Sequence, residues 1–169
     1  MNAKYLAVAT AFLGTALGMV QPAQAVTISK NMFIDPSTAC QLSLPTIDTA
    51  VRPRATGFRN EGTTGTFIIC GTAYFAVGSA TATLLQVQLT AFDGITRNVS
   101  CTAVTRQSTG DSPFFSTKVG SISSMGGSIS WASADLDNFS GFANSVTCNV
   151  PSGVAITGVR LVYPDDVGA

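Results

Sequence analysis

The residue that most narrows the chemistry open to this sequence is one it lacks, because the 169 residues include no histidine. That removes Ser-His-Asp and Cys-His nucleophilic sites and nearly all zinc enzymes. There is no phosphate-binding glycine loop and no dinucleotide fingerprint, and Gly126-Gly127 reads as a turn. Paired carboxylates can do acid and base work on a glycosidic bond. The candidates are Asp135 and Asp137, with Asp93 and Asp111 as outsiders. Asp135-Leu-Asp137-Asn138 also offers oxygen ligands to calcium, but the full twelve-residue calcium pattern is absent. The favoured reading is a solvated loop whose Asp and Asn residues stabilise turns. Neither a metal nor a cofactor is expected.

Aromatic residues supply the other candidate surface. Trp131, with Phe139 and Phe142 near it in sequence, can form a platform for a sugar ring. A single Trp in a sandwich more often fills the core, and that reading is preferred. Phe114 and Phe115 follow Pro113 in a polar stretch, as an exposed contact patch or as cover for the end of the fold. Asn98-Val-Ser100 and Asn138-Phe-Ser140 match glycosylation acceptors, which matter only in a eukaryotic secretory host.

The elements that position these residues begin after an export signal. Residues 1–25 read as a secretory signal peptide: Lys4, an apolar run from Leu6 to Val20, then Gln-Pro-Ala-Gln-Ala25 with small residues before the cleavage point. The apolar run is about 15 residues, short of the roughly 20 that span a bilayer. The mature chain, residues 26–169, is expected to form one domain without a transmembrane segment. The short one-lysine start looks bacterial.

Removing Lys4 from 9 Lys and Arg leaves 8 against 9 Asp and Glu, close to neutrality. Neither a basic patch for nucleic acid nor a cationic helix for a membrane surface is evident. The abundance of Thr, Ser, Gly, Ala and Val favours strands and turns. All 4 cysteines, Cys40, Cys70, Cys101 and Cys148, fall in the mature part. In an exported chain that predicts two disulfides, and the wide spacing without His or C-x-x-C argues against a metal site.

The pattern predicts seven to nine short strands and an antiparallel β-sandwich, with no convincing helix after the signal. Residues 26–30 alternate as a first strand, and residues 31–50 look irregular. Residues 64–70 suit a central strand. Around Asp93-Gly94 a hairpin is predicted, with a three-residue loop of Phe92, Asp93 and Gly94 placing Val87 opposite Val99 and Leu85 opposite Cys101. Cys101 then points inward. Residues 107–128 read as a long connection or weak edge strand, 128–133 as a short strand and 134–141 as a loop. Residues 145–150 turn Val146, Cys148 and Val150 inward. The last strand, 154–163, carries a bulge near Gly158. Four cysteines allow three connectivities. Cys40 with Cys70 and Cys101 with Cys148 is preferred, since both later cysteines sit on core-facing rows.

An early Cys40, Asn60-Glu-Gly-Thr-Thr before a strand ending in Cys70-Gly, a hairpin leading to Cys101, and Ser145-Val-Thr-Cys-Asn-Val-Pro-Ser-Gly153 before the final strand form one pattern. It covers most of the mature chain and resembles a loose group of small secreted four-cysteine β-proteins of Gram-negative bacteria. The group has no established activity, so the resemblance implies the fold and the pairing and no catalytic residues. The leading functional expectation is a non-catalytic secreted or periplasmic surface module, including a carbohydrate-binding one. Glycans and other surface proteins are the partners considered. The alternatives are a subunit of a surface fibre or adhesin, adding residues 26–30 to a neighbour's sheet edge, and a hydrolase built on carboxylates.

Overall fold

Period-two alternation makes one face of each strand apolar, and two such faces must cover each other. The computed structural model describes residues 26–47, 50–73, 82–106, 112–139 and 143–166, so the signal segment lies outside the described residues. Eleven strands form two antiparallel sheets among these residues, more than the seven to nine expected. They are β1 (Thr27–Ile34), β2 (Cys40–Leu42), β3 (Val51–Arg54), β4 (Gly57–Asn60), β5 (Thr66–Ala73) and β6 (Leu84–Ala91), followed by β7 (Arg97–Arg106), β8 (Phe114–Ile122), β9 (Gly127–Ala132), β10 (Ala143–Val150) and β11 (Val154–Asp166).

The first sheet runs β3-β4-β11-β6-β9, with β1 also paired to β11; the second runs β2-β5-β10-β7-β8. The core lies between them. Leu85, Val87 and Leu89 of β6, Trp131 of β9, and Ile156, Val159 and Leu161 of β11 are buried from one side. Ile68, Val99, Ala103, Val146 and Val150 meet them from the other.

The stretch from residue 31 to 50 is more ordered than its composition suggests. β1 continues to Ile34, and Asp35 then caps a one-turn helix, α1 (Pro36–Ala39), by accepting a 2.8 Å hydrogen bond from Ser37 N. Asp at the cap followed by Pro in the first turn is a strong local start signal. The predicted bulge is present: the β6–β11 register shifts between Ile156 and Gly158.

The predicted β6–β7 hairpin is not formed. β6 pairs with β9 and β11, whereas β7 pairs with β8 and β10 in the other sheet. The Phe92–Gly94 segment therefore carries the chain across the sandwich. Cys101 is buried as expected, because alternation sets its face whichever strand lies alongside.

Both disulfides have the preferred pairing, Cys40–Cys70 and Cys101–Cys148. Each joins residues directly opposite in register, on β2–β5 and β7–β10, so both lie within the second sheet. Neither bridge joins one sheet to the other. Two disulfides are consistent with an extracellular or periplasmic location, where the surroundings are oxidising. No helix among the described residues is long and apolar enough to cross a membrane.

Candidate functional site

Trp131 and Asp135 are brought together by the fold, as parts of a structural corner. Trp131 has 0% exposure, and its indole N–H donates a 3.1 Å hydrogen bond to the Ser116 carbonyl on β8. It offers no ring face to a sugar, which corrects its place as a ligand candidate. Asp135 sits in the first turn of a 3-10 helix over Ser133–Phe139, where a loop was expected. Its carboxylate accepts from Ala132 N at 2.9 Å and from Lys118 Nζ at 2.7 Å, while Lys118 also donates to the Ser130 carbonyl at 3.0 Å. The Lys118 hydrogen bond, with help from the Ala132 amide, lowers the Asp135 pKa. An acid held in its charged form is the wrong partner for protonating a leaving group. The corner instead closes β9 onto β8 through side chains.

Of the remaining acidic candidates, Asp93 alone has a described side chain. Asp137 and Asn138 lie on the backbone of the same short helix, and their side chains are outside the described residues, as is that of Phe139. Asp111 and Phe142 are outside the described residues altogether. Asp93 is bound by both ends of the Arg97 guanidinium, at 2.6 and 2.5 Å. Arg97, then the Ile95 amide, lower its pKa to about 2. No group of three His, Cys, Asp or Glu side chains that could hold a metal occurs among the described residues.

Phe114 and Phe115 are both exposed on β8, at the rim of the second sheet, with Val119 exposed further along. The first strand is integrated rather than detached: all of β1 pairs with β11, from Thr27 opposite Asp166 to Ile34 opposite Val159. It is not a free arm waiting for a neighbouring subunit.

The more developed surface is the outer face of the first sheet. Outward residues of β6 and β9 form a polar strip, in which Gln86 Nε2 donates to Ser128 Oγ at 3.2 Å and Ser130 Oγ at 3.0 Å. Next to it, Arg160 of β11 donates from Nε (2.9 Å) and Nη2 (2.5 Å) to Asn31 Oδ1 and lies 5.6 Å over the Phe33 ring. Phe33 remains 67% exposed. Beside it is a groove of about 390 Å³, lined by Phe33, Asp35 and Pro36 on one flank and by residues 55–57 on the other. Gln88, Thr157 and Gly158 line it between the flanks.

Two glycines with close surroundings line the groove. At the bulge, a Cβ built on Gly158 would meet Gln88 Oε1 at 2.8 Å, so a larger residue there displaces the Gln88 side chain. Gly57 has φ of 127° and sits against β11 so closely that a Cβ would be 2.1 Å from the Ile156 carbonyl oxygen. Only glycine fits there.

Next to the groove, the β3–β4 hairpin carries Arg52, Arg54 and Arg59. Arg54 grips Glu61 through two hydrogen bonds of 2.8 and 2.7 Å. Arg59 lies over the Phe92 ring at 4.8 Å, and its Nε is buried with no hydrogen-bond partner. These arginines escaped the sequence reading because the whole-chain charge balance hides them. The signal was Arg52-Pro-Arg54 followed by Arg59, three of the chain's 9 basic residues within one short hairpin.

No family model, curated protein or solved structure matches this chain. The function therefore has to be read from the surface itself.

Proposed function

We propose that the chain is an exported, non-catalytic binding module that takes a carbohydrate on the outer face of its first sheet. The observation that carries this reading is the groove of about 390 Å³ beside Phe33, a volume within the range of ligand sites, about 300–1,000 Å³. A pyranose presents hydroxyls around its rim and C–H groups on its faces. The groove offers the complement, with Gln88 and Thr157 as donors and acceptors and the exposed Phe33 for the apolar side. Gln86, Ser128, Ser130 and Asn31 extend the same chemistry along the sheet.

Export is supported by the signal-like residues 1–25 and by the two disulfides. The non-catalytic reading is supported by the lack of histidine and by the pairing of Asp93 and Asp135 with cations. The test is glycan-array binding by the mature protein and by Phe33→Ala and Gln88→Ala. Wild-type binding that both substitutions weaken supports the reading. Binding that ignores both substitutions contradicts it.

A further inference from the structure

We infer that Arg52 and Arg59, with Arg54 at their side, bind an anionic group of the groove's ligand, which makes that ligand an acidic polysaccharide. This inference rests on the reading of the groove as a carbohydrate site. Arg52 and Arg59 are directly opposite in the β3–β4 register. Like charges in that position disfavour the hairpin unless something negative lies between them. The nearby carboxylate, Glu61, is gripped at both oxygens by Arg54 and is the same acid that Arg59 and Arg52 act on electrostatically. Three arginines against this one acid leave two positive charges on the outer side of the hairpin.

Arg59 gives a second and independent indication. Its Nε is removed from solvent with no acceptor, a costly state for a charged donor. The guanidinium is held in place over Phe92, so its plane is fixed before a ligand arrives. A preset planar fork suits a carboxylate or a sulfate ester, both of which accept two parallel hydrogen bonds.

The hairpin that carries the arginines also lines the groove. Residues 55–57, which line the groove, are the hairpin segment between Arg54 and Phe58, with Arg59 one residue further on. Thr157, another lining residue, follows Ile156, which pairs with Phe58. The groove's own acid, Asp35, is turned to the Ser37 amide. A sugar ring in the groove would thus place a substituent within reach of the hairpin.

The distribution of the other cations favours a polysaccharide over a nucleic acid. A nucleic-acid strand is held by a track of phosphate contacts. Among the described residues, Lys30, Arg54, Arg97 and Lys118 are each paired with a carboxylate. Arg52 and Arg59 share the single Glu61 with Arg54, and Arg160 is held by the neutral Asn31. That pattern suits a discrete anionic group on an otherwise neutral, hydroxyl-rich chain.

The experiment is binding of the mature protein to four polymers at low salt: polygalacturonate for carboxylate, dextran sulfate for sulfate, dextran as the neutral control, and single-stranded oligo-dT. The expected result is that one polyanionic polysaccharide binds roughly tenfold or more tighter than dextran, the size of one good charge-assisted contact. The better of the two identifies the anionic group. The Arg52→Gln/Arg59→Gln variant should lose that preference while keeping its dextran binding. Arg52→Gln alone, an exposed change that leaves Arg59 in its packing, should lose part of it. Equal binding of dextran and both polyanions, with sensitivity to Phe33→Ala, overturns the inference and leaves the groove reading standing. A preference that survives the double substitution, or tighter binding of oligo-dT than of either polyanion, also overturns the inference. No binding of any polysaccharide overturns both readings.

Discussion

Asp93 and Arg97 form a two-pronged ion pair across the segment where the chain leaves one sheet for the other, with contacts of 2.6 and 2.5 Å. Asp93 also accepts from the Ile95 amide, and Phe92 N donates to the Gly153 carbonyl, so the crossing is tied to both sides. This is the stretch whose Asp-Gly sequence predicts a hairpin. The turn itself is real, with Gly94 at φ 78°. What differs is its outcome, because the strands it joins pair with other partners.

The Asp93–Arg97 contact makes a prediction about pH. The folded-state pKa of Asp93 is lowered to about 2 by the Arg97 hydrogen bonds and the Ile95 amide, below an unfolded value of about 4. A depressed carboxylate stabilises the fold above its unfolded pKa and loses that contribution as pH falls through the folded one. Stability should therefore decline from about pH 4 toward pH 2. Carbon-13 titration of the Asp93 carboxyl should give a midpoint near 2, and Arg97→Gln should move it up toward the ordinary range. An unchanged midpoint in the variant would remove the assigned cause.

The disulfides should act chiefly on the unfolded chain. They close loops with sequence separations of 30 and 47 residues, and by loop entropy each is worth roughly 3.5 to 4 kcal/mol. Cys101→Ala/Cys148→Ala should lower the unfolding free energy in urea by about that amount. Because both bridges lie inside the second sheet, ligand binding on the first should persist wherever the variant remains folded.

Trp131 should behave as a core residue with a single polar tie. Trp131→Phe removes the hydrogen bond to the Ser116 carbonyl and leaves a void, whereas Trp131→Ala should cost about 3–5 kcal/mol in denaturant melts. Its fluorescence should be blue-shifted, resist acrylamide and be indifferent to saccharides. Quenching by a bound sugar would contradict the burial of the indole.

Gly57 links stability to the groove. An alanine there must adopt φ near 127° and push against the Ile156 carbonyl, so Gly57→Ala should destabilise by roughly 1–3 kcal/mol or more. A melting temperature equal to wild type would contradict the geometry. Gly71→Ala, where a Cβ meets nothing within 4 Å, is the control.

The legible parts of this fold were those decided by alternation. Val146, Cys148 and Val150 point inward, Cys101 points inward, and the last strand breaks phase at Gly158, all as the pattern requires. The cysteine pairing followed from those inward rows. Strand partnership was not legible, because Val87 and Val99 face the core equally well from one sheet or from two. The short β2, β3 and β4 carry too few residues to show a period. The segment around Asp135 is a 3-10 helix, and the Lys118 that holds its carboxylate is distant in sequence, so the contact has no local signature.

The candidate surface was harder to read than the core. Its parts come from Phe33, Gln88, Thr157 and the 55–57 turn, which share no sequence pattern and meet only through the β1–β11–β4 arrangement. Arg52, Arg54 and Arg59 were visible as residues, but their convergence depends on the hairpin register. Trp131 drew attention as the only tryptophan, and its value proved to be structural.

The most direct test of the outer face of the first sheet as the binding surface is calorimetric titration of wild type, Phe33→Ala and Phe115→Ala with the best glycan from an array. The account predicts loss of roughly tenfold or more in affinity for Phe33→Ala, in the range of a lost central contact, and none for Phe115→Ala on the opposite sheet. Unchanged affinity for Phe33→Ala together with lost affinity for Phe115→Ala would contradict it and move the site to the other sheet.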